Sequence, residues 1–303
     1  MDRQRTAWID VAKGMGIIMV FIGHSSLPKI LSDFIWAFHM PLFFFLSGWC
    51  TNWKKLSPKE FLLHRIKTLM IPFFIYSTIV LTIEYVAGFS NILLWLHQGW
   101  QGYALWFIPV LFMASFIARV INIFGNKVVI ICEAVCILLG ASLRYTDVTL
   151  PWTMSTVPYA TFLILAGWQL KSFSSYIEKP RIWIGVIGLV ITFIVSHFWR
   201  LDMAWNNILP IIPLTIGAFS GFFLISTVAS VISNRIKFLS KILQGVGKET
   251  YIVLAFSQVL SMTIINCTSI DRITRNLIVI ILLVAIKYLK DFVNSHIGFK
   301  LLR

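Results

Sequence analysis

Ten stretches of apolar residues, at about 9–26, 33–50, 68–87, 104–124, 127–143, 156–171, 181–199, 207–232, 249–266 and 273–290, follow one another with only short polar connectors between them. Their length decides the fold class. Crossing the roughly 30 Å hydrocarbon core of a bilayer takes about 20 residues of helix, and only helices or closed barrels satisfy their backbone hydrogen bonds there. Barrel strands alternate apolar and polar residues with period two, whereas these runs are unbroken. The charged fraction of 13% lies far below the roughly 25% of soluble domains, so too little polar surface is left to cover a globule in water. The expectation is an all-α integral membrane protein of about ten transmembrane helices, forming a single domain over residues 1–303.

Basic residues orient such a chain, because Lys and Arg are retained on the cytoplasmic side of short loops. With the N-terminus inside, twenty of the 26 Lys and Arg fall on cytoplasmic segments and five outside, Lys13 being the one within a helix. The bias alternates at every loop and predicts that both termini are cytoplasmic. It also accounts for the net charge of +14 as a lining of inner loops beside anionic lipid, so nucleic acid is not an expected partner. The first apolar stretch contains Asp10 and Lys13 and lacks a following small-residue cleavage site, so it reads as a retained helix and not a signal peptide. Of Cys50, Cys132, Cys136 and Cys267, only Cys132 and Cys136 stand at helical spacing, inside an apolar run with no further ligands. They read as core thiols, and no metal is expected.

Ionisable groups inside a membrane helix are costly and so become candidates for function. The first helix carries Asp10, Lys13 and His24. His24 stands eleven positions after Lys13, which puts them within about 20° of one helix face and about 16 Å apart along the axis. A single stripe therefore joins the inner third of the membrane to the outer. The second helix brings His39 to a similar depth, Glu84 near the outer end of the third could fix the tautomer of His24, and Glu133 of the fifth could balance Lys13 or Arg119. Arg65 and Lys67 lead into the third helix ahead of Pro72, where they can face a cavity mouth from the inner side. Asp10 and Lys13, at i,i+3, also suit an ordinary ion pair, and Lys54, Lys55 and Lys59 suit plain positive-inside retention.

The run from Trp8 to His24, with Lys13, ten intervening residues and His24, resembles the opening helix of the acyltransferase family 3 membrane enzymes, particularly the fucose 4-O-acetylase-like branch. Phe38-His39-Met40-Pro41-Leu42-Phe43-Phe44-Phe45-Leu46-Ser47-Gly48 is similar to that family's second-helix signature. Leu105-Trp106-Phe107-Ile108-Pro109 and Gly247-Lys248-Glu249-Thr250-Tyr251 resemble two later motifs. The likeness runs from residue 8 to about 260. Two positions depart from the family pattern: Arg65 is followed by Lys67 and Thr68 where many relatives have paired arginines, and Ser257 stands where relatives often have a histidine.

The resemblance implies an acyl-CoA-dependent O-acyltransferase of the bacterial cytoplasmic (inner) membrane. Its donor is acetyl-CoA or another short acyl-CoA supplied from the cytoplasm, and its acceptor is a cell-envelope glycan or lipid-linked sugar. CoA is a phosphate-rich anion, which Lys13, Arg65 and Lys67 suit: lysine as a point charge, arginine as a fork. A sugar hydroxyl is a poor nucleophile at neutral pH, and histidine is the usual side chain that removes its proton during attack. His24 is the expected general base, with a transient acyl-histidine as the variant of that mechanism. His39, Trp106 and Ser47 would shape the tunnel or steady the oxyanion, and Asp10 would help hold substrate. Two other readings fit the same composition: a multi-pass transporter or flippase of an envelope precursor, and a non-catalytic partner in envelope assembly.

Overall fold

The computed structural model describes residues 3–25, 27–88, 103–175 and 181–297, and among them it is helical with no β-strand. The helices are α1 (Arg3–Gly23), α2 (Lys29–Trp36), α3 (His39–Cys50), α4 (Pro58–Arg65), α5 (Ile71–Val86), α6 (Phe107–Ile121) and α7 (Asn126–Tyr145). They continue as α8 (Val157–Leu170), α9 (Ile182–Phe198), α10 (Ile211–Arg235), α11 (Lys237–Lys248), α12 (Thr250–Cys267) and α13 (Arg272–Ile297). Each of the ten apolar stretches appears as helix. Six continuous stretches, 29–50, 58–86, 103–124, 126–145, 211–235 and 250–267, are long and apolar enough to cross a membrane, and α9 is a shorter apolar helix. Their outward faces are oily: Ile130, Ile131 and Leu138 on α7 and Ile187, Val190 and Ile194 on α9 are all exposed. An apolar patch of that extent is untenable in water and at home in lipid.

Three local features differ from the pattern of unbroken helices, and all three shape the interior. The second apolar stretch breaks at Ala37 and Phe38, where Phe38 adopts φ −142°, ψ −16° and leaves His39 as the first residue of α3. Pro41 then falls in the first turn of α3, where a missing N–H costs no helical hydrogen bond. The third stretch begins ten residues early, nearly three turns, at Pro58, behind a capping box in which Glu60 N–H donates to Ser57 Oγ (3.3 Å) and Ser57 N–H to Glu60 Oε2 (2.9 Å). Between α4 and α5 the chain runs as a π-helix over Ile66–Met70. Pro72 explains it, because a proline ring collides with the carbonyl four residues earlier, here Thr68, and the ladder opens.

The third feature is α11, an amphipathic helix in what the sequence suggests is a polar connector. Ser240, Leu243 and Gly247 on one face are buried, while Phe238 and Ile242 on the other are exposed. The buried face packs on α1. A Cβ on Gly14 would stand 2.1 Å from the Leu243 carbonyl oxygen, and one on Gly247 would stand 2.2 Å from that of Asp10. Only glycine at both positions lets the two backbones meet, as small residues do at membrane helix crossings. α3 and α8 cross in the same way through Gly48 and Gly167. α1 thus runs through the middle of the bundle, packed on α3, α10, α11 and α12.

Candidate active site

Two cavities lie end to end along α1 and share no lining residue. The lower one, at the end where α1 begins, is about 970 Å³. Four permanent cations line it: Lys13 from α1, Lys55 from the loop before α4, Arg65 from the last turn of α4, and Lys248 from the last turn of α11. His64, Ser47, Thr51 and Asn52 add polar groups to the wall, and no Asp or Glu is among the lining residues. Arg65 is half-buried. Its Nη2 donates to Thr51 Oγ1 at 3.3 Å, its guanidinium lies 5.0 Å from the centre of the Phe61 ring, and its buried Nε has no protein partner. A desolvated guanidinium with a donor left over and no carboxylate beside it has the chemistry of an anion site.

Two expected site residues, Lys67 for the donor and Asp10 for the substrate, fall elsewhere. Lys67 is exposed and does not line this cavity: Arg65, Thr68 and Leu69 share the inward face at i, i+3 and i+4, and a residue two positions on points away. Lys248, carried inward by the Gly14–Gly247 crossing, takes its place. Asp10 does not line the cavity either. It pairs with Lys13 at 3.8 Å, with the two side chains about a third exposed (29% and 35%), which makes a weak solvent-screened contact.

The upper cavity is about 400 Å³ and is walled by His24, Trp36, His39, Tyr103, Trp106, Asp202, Trp205 and Gln258, among others. His24 follows the last residue of α1 and is exposed at the cavity edge, whereas His39 is buried. The Trp36 indole stands between them, its ring 5.3 Å from that of His24 and 5.5 Å from that of His39, edge to face in both cases. His39 Nδ1 lies 2.9 Å from the Ile35 carbonyl oxygen and donates to it, so the neutral ring keeps a lone pair on Nε2. Trp36 is itself held from outside: Arg200 lies 3.9 Å over its ring and pairs with Asp33 at 3.0 Å, and Asp33, buried on α2, also pairs with Lys29.

Glu84, expected beside His24, is buried on α5 but is not part of this wall. The tautomer that the structure fixes is that of His39, by a backbone carbonyl. Glu133 accepts a hydrogen bond from Gln169 Nε2 at 2.9 Å, and Arg119 donates to the Leu56 carbonyl at 2.9 Å, so Glu133 balances neither Lys13 nor Arg119. Ser47 belongs to the lower cavity and Trp106 to the upper. Ser257 is buried off both walls, and Gln258 next to it reaches the upper one. Between the cavities stand Phe43 and Phe107, rings 5.8 Å apart, lining the top of the lower space. Met40, one turn away on α3, and Trp106, next in sequence to Phe107, line the upper space.

A bundle of oily helices enclosing two polar cavities, one cationic and one bearing paired imidazoles, defines a multi-pass membrane protein whose chemistry lies inside the bundle. A family model described as an acyltransferase domain, that of acyltransferase family 3, matches residues 6–290, and the chain belongs to that family. It is a membrane acyltransferase. No curated protein and no solved structure matches it.

Proposed function

We propose that the protein is a membrane-embedded O-acetyltransferase of the fucose 4-O-acetylase-like branch, moving an acetyl group from acetyl-CoA to a hydroxyl of a cell-envelope carbohydrate. In this reading residues 1–303 form one domain of ten crossings in the bacterial inner membrane, with both termini and the lower cavity on the cytoplasmic side. The single observation that carries it is the pair of adjoining cavities, four cations without a carboxylate below and two histidines above. The donor's phosphates fit the lower wall, where Arg65 Nε is a buried donor lacking a partner and Lys13, Lys55 and Lys248 supply point charges. When bound, acetyl-CoA supplies the activated acyl group as a thioester.

The residues of the upper cavity do the rest. His24, at the open edge, takes the proton from the acceptor hydroxyl as its oxygen attacks the acyl carbonyl, and returns a proton to the departing thiolate. His39 Nε2, unprotonated in the tautomer held by Ile35, accepts a hydrogen bond and orients the sugar. It is not the oxyanion donor, because that tautomer has no N–H to spare. Trp106 and Trp36 wall the sugar in.

Mass spectrometry of envelope glycans from a deletion strain and its parent tests the reading. The deletion should lose one acetyl mass per modified sugar, and His24→Ala should reproduce that loss while the protein still inserts. Substrate movement across the membrane without acyl-CoA consumption would establish a transporter instead.

A further inference from the structure

The two cavities differ in charge as well as in shape. Below, the wall carries Lys and Arg and no carboxylate; above, it carries Asp202 and neither Lys nor Arg. Asp202 lies in the loop between α9 and α10, and that loop is firmly built. Asp202 N–H donates to the Asn207 carbonyl (3.1 Å), Asn207 N–H returns the bond (2.8 Å), and Thr156 Oγ1 donates to the Met203 carbonyl (2.6 Å). Within this frame Asp202 Oδ1 accepts from Ala204 N–H at 3.1 Å, and the Trp205 backbone N–H is turned toward the same carboxylate. The carboxylate keeps acceptor capacity for whatever enters the cavity.

The carboxylate makes no ion pair among the described residues. Arg200 pairs with Asp33 and lies over the face of Trp36; burial raises the Asp202 carboxyl above the usual carboxylate range, and the Arg200 charge offsets that only in part. Next to it Trp205 is 75% exposed yet part of the wall. The chain turns left-handed at Asn206 (φ 51°), directly after it. A rigid carboxylate beside an open indole can bond hydroxyls and stack on the C–H face of a pyranose. The same carboxylate repels an anion.

Taking the carbohydrate acceptor as given, we propose that the upper cavity selects an uncharged glycosyl unit, with Asp202 accepting hydrogen bonds from its hydroxyls and excluding sugars that carry a carboxylate or phosphate. Two unit charges roughly 6 Å apart at an effective dielectric of about 20 correspond to discrimination of about a hundredfold.

The test uses the full-length enzyme in detergent with labelled acetyl-CoA and two probe acceptors, a methyl hexopyranoside and the matching methyl hexuronoside, which differ only at C6. Quenching of tryptophan fluorescence by each glycoside provides a second measurement that needs no turnover. The expected result is a kcat/KM about a hundredfold higher for the neutral glycoside. Asp202→Asn, which retains the oxygen that accepts from Ala204 N–H, should lower transfer to the neutral glycoside about tenfold and bring the ratio between the two to within a few-fold. Equal use or equal binding of the uronoside by the unaltered enzyme overturns the proposal while the carbohydrate reading stands, as does a ratio that Asp202→Asn leaves unchanged. Absence of both transfer and quenching with either glycoside overturns the carbohydrate reading and the proposal together.

Discussion

Replacing Arg65 with glutamine should weaken acyl-CoA binding about 10- to 150-fold, whereas Lys67→Gln, two residues away, should change it less than twofold. The contrast follows from the wall of the lower cavity, which includes Arg65 and not Lys67. A guanidinium and a phosphate oxygen about 4 Å apart would attract by about 4 kcal/mol at an effective dielectric of 20, which is an upper bound. Arg65 is only half-buried and three lysines line the same cavity. The figure for one charge-assisted hydrogen bond, roughly 1.5–3 kcal/mol, is therefore the appropriate one. Glutamine keeps N–H donors and much of the stem, so the loss isolates charge. Stability should change little, because the Thr51 contact is long at 3.3 Å and a buried Nε without a partner disappears with the substitution. Isothermal titration of the detergent-purified variants with acetyl-CoA, run at two salt concentrations, measures the effect. Equal losses for Arg65→Gln and Lys67→Gln, or no loss for either, would refute the placement of the donor.

His24→Gln should lower the rate of transfer at least a hundredfold, the usual worth of a general base, with acetyl-CoA binding intact by the same titration. His39→Phe keeps the ring against Trp36 but removes the Nε2 lone pair, and should raise the KM for the acceptor more than it lowers kcat, as steady-state kinetics would show. Asp33→Asn strips the partner from Arg200 and Lys29. Because Arg200 is partly exposed, the cost should fall near 1–3 kcal/mol, below that of a fully buried pair, and thermal unfolding in detergent reads it. Gly247→Ala puts a Cβ 2.2 Å from the Asp10 carbonyl oxygen, so α1 and α11 must part and stability and acetyl-CoA affinity should fall together. Gly245→Ala, with no atom within 4 Å of the added carbon, should leave the affinity as it is and raise stability by up to about 1 kcal/mol.

What the sequence revealed and what it hid divide along physical lines. Every apolar stretch became a helix, because lipid leaves a long apolar segment no other way to satisfy its backbone. Lys13, His24 and His39 were legible as cavity residues because ionisable or polar groups in oily runs are costly; Arg65 stood out as a cation leading into a helix ahead of Pro72, and Trp106 through its motif alone. Lys67 was not, since its neighbour Arg65 suggests a common site and only the inward face of Arg65, Thr68 and Leu69 separates them. Lys248 stood in a glycine-led motif whose purpose became visible only with the Gly14–Gly247 crossing, a contact between residues more than 230 positions apart. Asp202, Trp205 and Arg200 gave no signal: they occupy a loop, where polar and aromatic residues are ordinary, and their meaning depends on a fold that returns them to α2 and α3.

The sequence also suggested one slot running from Lys13 to His24, and the structure divides that path with the rings of Phe43 and Phe107. The division has chemical consequences for the proposed reaction. Four positive charges along an open passage would oppose the imidazolium that a general base becomes when it takes a proton, and water following the charges would hydrolyse the thioester. A layer of phenyl rings keeps the cationic wall from extending upward and excludes water where the acyl group passes. α1 passes both cavities, with Lys13 on the lower wall and Val20 on the upper, so the eleven-residue spacing from Lys13 to His24 measures the distance over which donor charge and base must be kept apart. Asp202 completes the same separation from above. Carboxylate and cations thus stand on opposite sides of the ring layer, and in the proposed reaction each substrate would meet the charge suited to it before the two come within reach of one another.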